Sequence, residues 1–221
     1  MLKAIIPARS GSMRVKNKNI RPFADSNLLT IKIEQLKQVK RLDGIIVNSN
    51  DEEILEIARK CGVETVKRDD YYASNSVSIN DVYVNQAENC DADYIMHCTC
   101  TNPLLGVKTI DEMIDFFFEH EKEYKSVNSA HQIKEFMWLD GQPINYKVEK
   151  MPRSQDLPDI LGLNFAVNIL SKDALIENRN VISTKPYLYK ISDIEAIDVD
   201  WEVDFEFAEF MYKKYRMGVN V

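Results

Sequence analysis

An alternation of short apolar runs with helix-patterned segments constrains the fold of this chain more than any other feature. Runs with the composition of buried strands cover residues 2–6, 44–48, 63–66, 94–98 and 165–170. Apolar residues at helical spacing cover residues 28–40, about 50–62, 78–89, 108–120 and 201–215. This rhythm predicts a mostly parallel sheet with helices on both faces. At 221 residues, we expect one three-layer α/β/α domain over residues 1–221.

The second predicted helix carries signals at both ends. Asn50 is the expected N-cap, and Glu53 completes a capping box with it. Gly62 is the expected end of the helix, because glycine readily adopts the left-handed conformation that terminates helices.

Charge is distributed unevenly along the chain. The net charge of −7, from 28 basic and 35 acidic residues, argues against general nucleic-acid or anionic-membrane binding, which needs a basic face. The first 24 residues nevertheless carry six basic side chains and no acidic one, whereas residues 193–209 carry eight acidic side chains and no basic one. A basic loop and an acidic cluster in one fold suit an anionic ligand bridged by a divalent metal ion. Two unrelated solvated surfaces would give the same composition.

The cysteine content and the apolar runs bear on the compartment. The four cysteines, Cys61, Cys90, Cys98 and Cys100, are too few for a disulfide scaffold. Met1 leads directly into a strand, and no apolar run approaches the roughly 20 residues that span a bilayer. We therefore expect a cytoplasmic protein with reduced thiols, no signal peptide and no membrane partner.

The loop after the first strand, PARSGSMRVKNKNI (residues 7–20), is small and basic. Its cations are Arg9, Arg14, Lys16 and Lys18. Backbone N–H groups of residues 10–12 can approach phosphate oxygens, and the cations can neutralise them. Because the chain contains neither GxxxxGK[ST] nor GxGxxG, the segment predicts a polyphosphate-binding loop of another kind.

This loop closely resembles the signature of the CMP-sugar synthetases, the cytidylyltransferases that activate sialic acid and related nonulosonic acids. The family pattern P-A-R-x-G-S-K-x-x-x-x-K-N is matched at Pro7, Ala8, Arg9, Gly11, Ser12, Lys18 and Asn19. The resemblance implies a Rossmann-like nucleotidyltransferase fold, CTP as co-substrate and a homodimer. It also implies that the nucleotide is bound by Ala8, Arg9, Ser10, Gly11, Ser12, Lys18 and Asn19, with Arg9 and Lys18 as catalytic cations on the triphosphate. The loop departs from the pattern at Met13, usually Lys, and at Arg14, where a small residue is common.

Two further segments resemble the family's base-binding and ribose-binding parts. Arg68 with Ala73–Ser76 is similar to R-P-x-x-L-A-x-D-x-x-S, with Asn75 in place of Asp. Residues 93–104 align with the family's strand and its L-Q-P-T-S-P-L turn, with Thr99 in place of a nucleotide-contacting Gln. The resemblance implies nucleotide contacts from Arg68, Asn75, Ser76 and Thr99, and a substrate contact from Thr101.

The neighbouring His97, Cys98 and Cys100 also suggest a zinc site. Their spacing fits neither a CxxC knuckle nor an HxxxH helix, and alternate residues of a strand face opposite sides. We therefore interpret them as core residues, with His97 facing away from both cysteines.

A fourth segment resembles the family's acceptor site. Residues 153–158 are similar to R-R-Q-D-L-P, and Asn164 begins a match to N-G-A-I-Y. The resemblance implies that Arg153 and Gln155 contact the sugar acid and that Asn164 lies near the acceptor. Ser154 in place of Arg and Phe165 in place of Gly predict a differently shaped sugar pocket.

A fifth segment carries the candidate metal ligands. Residues 197–200 and Asp204 resemble I-D-I-D-T-x-x-D-F. Asp198 and Asp200 are two apart on an extended segment, so they project the same way and can share Mg²⁺. Asp204 is expected on the first turn of the last helix, where its charge favours the helix dipole. The resemblance makes Asp200 a candidate catalytic residue.

Residues 136–148 read as a hairpin with a turn at Asp140-Gly141. The hairpin would expose more aromatic surface than a free one should, which predicts a partner surface. By resemblance, residues 134–160 form a dimerisation insertion that reaches toward the partner's active site.

Together these matches predict a magnesium-dependent enzyme that transfers CMP from CTP to a nonulosonic or related 2-keto sugar acid and releases pyrophosphate. The chemistry requires charge neutralisation and in-line placement, which loop cations and paired aspartates supply without a protein nucleophile. Two alternatives stay open. One is a cytidylyltransferase for another acidic acceptor, such as Kdo; the other is a catalytically silent nucleotide-binding homologue.

Overall fold

The structure, a computed structural model, describes residues 1–12 and 14–219. Its strands are β1 (Leu2–Pro7), β2 (Pro22–Phe23), β3 (Ser26–Asn27), β4 (Gly44–Ser49), β5 (Glu64–Lys67), β6 (Tyr94–Cys98), β7 (Ser126–Ile133), β8 (Trp138–Leu139), β9 (Gln142–Pro143), β10 (Ile160–Ser171) and β11 (Pro186–Lys190). Its helices are α1 (Leu28–Leu36), α2 (Glu52–Lys60), α3 (Asp70–Ala73), α4 (Ile79–Glu88), α5 (Val107–Glu119), α6 (Lys172–Asn178) and α7 (Glu202–Arg216). None of these helices is long and apolar enough to cross a lipid bilayer.

Seven strands form one sheet in the order β11-β7-β10-β6-β1-β4-β5. Strand β10 runs antiparallel to both of its neighbours, and every other pair is parallel. The interior strand β1 places Ile5 opposite Ile46 of β4 on one side and His97 of β6 on the other. The predicted mostly parallel sheet is therefore confirmed. Because β1, β4 and β6 are parallel, the loops that follow them meet at one edge of the sheet.

Side chains of β1 alternate between two apolar cores. Ala4 and Ile6 pack into a large core with residues of α1, α2, α5 and α7. Ile5 packs into a smaller core on the other face, with residues of α4 and α6. The alternation follows from the two-residue period of a strand, and it confirms the three-layer α/β/α arrangement.

The predicted N-cap of α2 is wrong by one residue. Asp51, not Asn50, caps the helix, and its Oδ1 accepts a hydrogen bond from the Glu53 N–H at 2.9 Å. Asn50 instead accepts a hydrogen bond from the Ser10 N–H at 3.2 Å. Gly62 follows the helix with φ = 73°, as predicted.

Several elements lack a sequence signal strong enough to predict them. Strand β7 begins SVNS, and its buried Ser126, Asn128 and Ser129 satisfy one another and β10 through side-chain hydrogen bonds. Because these buried positions are polar, the strand lacks the apolar pattern by which a buried strand is predicted. Helices α3 and α6 and strand β11 are also unpredicted, and β10 extends well beyond the predicted 165–170.

The predicted hairpin and core assignments hold. Strands β8 and β9 pair around Asp140 and Gly141, whose φ values of 50° and 74° suit a tight hairpin turn, although each strand has only two residues. Cys98 and Cys100 lie in the large core and are not disulfide-bonded. His97 packs on the other side, against Tyr83 at 5.1 Å between ring centroids. Burial and the nearby Arg68 lower the pKa of His97 to about 4, so it is neutral at physiological pH.

Candidate active site

The basic loop is anchored to the sheet edge at several points. The Ala8 N–H donates to the Asn48 carbonyl at 3.0 Å, so the loop begins in line with β4. The Asn19 carbonyl accepts from the Leu29 N–H at 2.9 Å, which ties the end of the loop to α1. Gly11 has φ = 77°, a value that suits glycine and lets the backbone turn sharply between the two anchors. Met13 lies outside the residues that the structure describes.

A cavity of about 390 Å³ opens between this loop and the segment after β6. Residues predicted to bind nucleotide or substrate line it: Arg9, Ser12, Lys18, Asn19, Thr99 and Thr101. The structure thus brings together the first and the third motif. Arg14 also lines this cavity, which therefore has three cationic side chains: Arg9, Arg14 and Lys18.

A second cavity of about 270 Å³ adjoins the first through Arg9. Arg9 donates hydrogen bonds from Nη1 to Asn75 Oδ1 at 2.8 Å and to the Ala73 carbonyl at 2.9 Å. Arg68 also lines this cavity, and its guanidinium donates to the Asn48 side chain at 2.6 Å. Burial, with the nearby charge of Arg9, lowers the pKa of Arg68 to about 10, which leaves it charged at neutral pH. Ser76 is exposed and lies outside the described linings of both cavities.

The acidic segment lies directly against the basic loop. Lys18 Nζ donates to the Val199 carbonyl at 2.6 Å and lies 3.7 Å from Asp200 Oδ1. Arg14 Nη2 donates to the same Asp200 oxygen at 2.9 Å. Val199 N–H donates to the Thr101 carbonyl at 2.9 Å, which fixes the acidic segment beside the loop after β6. The two segments with opposite charge therefore form one site.

Asp204 orients this segment through the backbone. Its Oδ2 accepts hydrogen bonds from the N–H groups of Asp200 at 3.1 Å and Trp201 at 2.7 Å. The same contact caps the first turn of α7, where the predicted helix begins. Asp204 thus holds the direction of the chain at Asp200.

The Asp198 carboxyl fits a cation. Burial raises its pKa, the charge of Asp200 adds to this effect, and the Thr101 hydroxyl and Lys18 oppose it. Among the described residues, its buried Oδ1 has no hydrogen-bond partner. A buried carboxylate oxygen without a partner is costly unless a ligand compensates it.

Within residues 1–12 and 14–219, no three His, Cys, Asp or Glu side chains are grouped so that they could hold a metal ion. Asp198 and Asp200 could therefore supply at most two carboxylate ligands to a metal ion. This number suits Mg²⁺, which usually takes one or two carboxylates and completes its shell with water and phosphate oxygens.

The predicted acceptor residues are placed unequally. Arg153 and Gln155 lie on an exposed 3-10 turn, and Arg153 Nε donates to Asp156 Oδ2 at 2.7 Å. Neither residue is among the described linings of the two cavities. Asn164 is buried. It lies near the larger cavity, since the carbonyl of Ala166, two residues further on, accepts a hydrogen bond from the Thr99 N–H at 3.3 Å.

Asn102 is a site residue that the sequence did not reveal. It is fully buried; its Oδ1 accepts from Thr99 Oγ1 at 2.8 Å, and its Nδ2 donates to the Ile197 carbonyl at 3.2 Å. The buried Lys32 Nζ donates to the Asn102 carbonyl at 2.9 Å. Asn102 therefore connects Thr99 to the acidic segment. Asparagine before proline reads as an ordinary turn, so only the tertiary contacts identify this role.

Comparison with known proteins identifies the family of the chain. The family model described as Cytidylyltransferase matches residues 3–141. The chain is 28% identical over 220 residues to post-translational flagellin modification protein B of Campylobacter coli, covering 95% of this chain and 94% of that protein. It is 26% identical over 220 residues to pseudaminic acid cytidylyltransferase of Campylobacter jejuni, covering 95% of each.

A more distant relative and a solved structure extend the comparison. N-acylneuraminate cytidylyltransferase A of Danio rerio is 25% identical over 94% of this chain and 50% of its own length. The structure of CMP:2-keto-3-deoxy-manno-octonic acid synthetase complexed with CTP has a TM-score of 0.72 and 14% identity, covering 96% of this chain and 98% of that one. At this identity the likeness shows the fold alone. The family match and these relatives together confirm the resemblance to the CMP-sugar synthetases, and the chain belongs to the cytidylyltransferase family.

Proposed function

We propose that the protein transfers CMP from CTP to a nonulosonic or related 2-keto sugar acid and releases pyrophosphate. The observation that carries the proposal is the contact of Lys18 and Arg14 with Asp200 beside the 390 Å³ cavity. Cations that could bind phosphate meet a carboxylate that could bind a metal ion there, and nucleotidyl transfer needs both kinds of group. The relatives named for pseudaminic acid and N-acylneuraminate support a sugar acid as the acceptor.

The triphosphate would lie along the basic loop. Arg9 and Lys18 would neutralise its oxygens, and the N–H groups of Ser10, Gly11 and Ser12 would donate to them, with Ala8 and Asn19 at the two ends of the loop. Charge-assisted bonds of this kind are stronger than neutral ones. Since Arg9 lines both cavities, phosphates in the larger cavity would place the nucleoside toward the smaller one.

The cytosine and ribose would contact the polar groups around Arg9. Arg68 and Asn75 line the smaller cavity together with Arg9, and Thr99 lines the larger one. Ser76 follows Asn75 in the chain and would contact the nucleotide from the rim of the smaller cavity. The Thr99 hydroxyl already donates to Asn102, so its oxygen would serve the ligand as an acceptor.

Asp198 and Asp200 would hold Mg²⁺. Bound there, the ion would neutralise phosphate charge and lower the pKa of the attacking sugar hydroxyl. Asp200 would have to exchange its ion pair with Arg14 for this role, which would free Arg14 to bind phosphate. Asp198 would gain a partner for its buried oxygen.

The acceptor would bind near Thr101 and Asn164, with Arg153 and Gln155 contacting its carboxylate or neighbouring groups. The exposed position of Arg153 and Gln155 is consistent with a site completed by a second subunit. Trp138 and Ile144 of the hairpin, each 54% exposed, support this arrangement, since exposed clusters of this kind favour a partner surface. We therefore propose a cytoplasmic homodimer of single-domain subunits, in which residues 134–160 form the dimerisation insertion.

A silent nucleotide-binding homologue is the second candidate. The Arg14–Asp200 pair favours it, because it engages a proposed metal ligand, and Thr99 replaces the family's usual Gln. Lys18, Asp198 and Asp200 are all retained, which favours the enzyme.

An acceptor panel separates these candidates. The protein is incubated with CTP, Mg²⁺ and individual 2-keto sugar acids, including N-acetylneuraminic acid and Kdo, and pyrophosphate release is measured. Release that requires both CTP and a nonulosonic acid supports the proposal. Release with Kdo alone would move the acceptor to the octulosonic class. No release, together with a CTP-dependent rise in Tm, would indicate the silent homologue.

A further inference from the structure

Lys32 is a basic residue of α1 whose side chain is fully buried. Burial lowers the pKa of its amine; the thiols of Cys98 and Cys100 oppose this effect, and the charge of Arg216 adds to it. Removing an amine from water costs free energy that an apolar side chain of similar length would not cost. The hydrogen bond that the buried amine donates is therefore the contact that can offset this cost.

Two side chains of α1 donate to consecutive carbonyls of the loop that follows β6. Lys32 Nζ donates to the Asn102 carbonyl at 2.9 Å. Gln35, almost one helical turn further along α1, donates from Nε2 to the Pro103 carbonyl at 2.6 Å. Both contacts fix the backbone of this loop against the helix, but they differ in what the side chain beyond each carbonyl can bind.

The side chain of Asn102 connects the loop to both halves of the candidate site. Its Oδ1 accepts from Thr99 Oγ1 at 2.8 Å, and Thr99 lines the 390 Å³ cavity. Its Nδ2 donates to the carbonyl of Ile197, the residue before Asp198, at 3.2 Å. Because both ends of the amide are bonded, a shift of the backbone at Asn102 would displace both contacts. The ring of Pro103 has no polar group and makes no such connection.

We propose that Lys32 is a positioning residue for nucleotide binding: it holds Asn102, and through Asn102 it sets the position of Thr99 in the larger cavity. The inference rests on one part of the proposed function, the binding of CTP in that cavity. Lys32 is not among the described linings of either cavity, so it would act only through other residues. Without its amine, the buried Asn102 carbonyl would lose this partner, and the backbone would shift to satisfy the carbonyl elsewhere.

The test measures the Kd for CTP by isothermal titration calorimetry, in the wild type and in Lys32→Met. Methionine has a similar length but no amine, so the variant should fold, as checked by far-ultraviolet circular dichroism. We expect its Kd to rise by about 10-fold, the effect of one hydrogen bond to a buried group. Gln35→Met is the matched control: it removes the donor to the neighbouring carbonyl and should leave the Kd within about 2-fold of the wild type. A wild-type Kd in folded Lys32→Met would overturn the inference.

A double-mutant cycle with Asn102→Ala separates positioning from a purely structural role. This variant keeps the carbonyl that accepts from Lys32 but removes the side chain that contacts Thr99 and Ile197. It should weaken CTP binding by itself, and adding Lys32→Met to it should change the Kd by no more than about 2-fold, because the connection is already broken. A loss of stability alone would not produce this non-additivity. Equal effects of Lys32→Met in both backgrounds, or an unchanged Kd in Asn102→Ala, would contradict the role of Asn102 and overturn the inference.

Lys32→Gln covers the case in which Lys32→Met does not fold. Its amide keeps a donor on a shorter side chain, so its Kd for CTP should lie between those of the wild type and Lys32→Met, or above that of the wild type if Lys32→Met is unfolded. If neither variant folds, Lys32 is required by the fold itself and the inference is overturned. A wild type that does not bind CTP contradicts the proposed function and, with it, this inference. A wild type that binds CTP no more tightly than folded Lys32→Met contradicts the role of Lys32 alone.

Discussion

Arg14 and Asp200, 186 residues apart in the chain, form an ion pair in which Arg14 Nη2 lies 2.9 Å from Asp200 Oδ1. The Arg14 guanidinium also lies over the Trp201 ring, 5.2 Å from its centroid. About half of each charged side chain is exposed, so the pair contributes little to stability. Its consequence is competition, because Arg14 and a metal ion would need the same carboxylate.

Arg14→Ala should therefore change ligand binding in two directions. Asp200 loses a competing cation, so the Mg²⁺ concentration that gives half-maximal activity should fall. The triphosphate loses a cation, so the KM for CTP should rise by about 10-fold, as expected for one charge-assisted hydrogen bond. Mn²⁺ binding by electron paramagnetic resonance gives the metal affinity without turnover.

Arg41→Ala is the matched control for this variant. Arg41 pairs with Asp115 at 2.9 Å and lies over the Phe118 ring at 4.4 Å, with similar exposure. It precedes β4, at the opposite edge of the sheet from the site. Metal affinity that changes equally in both variants would contradict a specific role for Arg14.

Asp200→Asn should abolish most activity while the protein remains folded. The amide keeps the shape of the side chain but removes the negative charge that a metal ion requires, so we expect kcat to fall by about 100-fold or more. Steady-state kinetics and far-ultraviolet circular dichroism measure the two effects. Asp193→Asn, at an exposed position of the same acidic region, should be neutral. Turnover in Asp200→Asn that equals the wild type would remove Asp200 from the mechanism.

Asp198→Asn should separate stability from activity. The buried carboxylate is desolvated and its Oδ1 lacks a partner among the described residues, so its charge destabilises the free protein. We expect the neutral amide to raise the Tm by about 2–4 °C for each kcal/mol relieved, with loss of most activity. Differential scanning calorimetry without metal makes the comparison. A lower Tm would show that Asp198 stabilises the free fold.

Much of the site could be predicted because its residues follow strands. The loop holding Arg9 and Lys18 comes after β1 and the segment holding Thr99 comes after β6, and parallel strands place both at one edge. Asp198 and Asp200 were predictable as a pair through the family resemblance, but the approach of Lys18 to Asp200 depends on how the chain packs before α7. Polar residues account for the elements that could not be predicted. Buried Asn128 breaks the apolar pattern of β7, and the role of Asn102 depends on its tertiary contacts.

Lys32 predicts a pH dependence of stability. Burial lowers its pKa below the ordinary lysine value. The folded state therefore releases this proton at lower pH than the unfolded state does. The contribution of Lys32 to the free energy of unfolding therefore rises with pH, from the pKa of the folded state up to that of the unfolded state, about 10.4.

The substitution Lys32→Met should remove this rise of stability with pH. The Tm difference between the wild type and Lys32→Met should shift in favour of the wild type, by about 2 °C or more, as pH increases from 7 to 10. Thermal unfolding of both proteins across that range measures it. A constant difference would mean that the pKa of Lys32 is the same in both states.

The hairpin makes a prediction about assembly. Trp138 and Ile144 are exposed on or beside β8 and β9, and a double change to Asp should prevent apolar contact between subunits. We expect the wild type to be a dimer and the double variant a monomer, by sedimentation velocity. The control replaces Val203 and Phe207, which are exposed on α7, with charged residues. It should leave the molecular mass of the assembly unchanged. A wild-type monomer would contradict the proposed dimer.

The most direct test of the central claim is the identity of the product formed from CTP. Liquid chromatography with mass spectrometry, on a reaction with CTP, Mg²⁺ and the best acceptor of the panel, should detect a CMP-sugar and one equivalent of pyrophosphate, and neither should form with Asp200→Asn. Free CMP with pyrophosphate and no sugar conjugate would show hydrolysis rather than transfer, and would contradict the account.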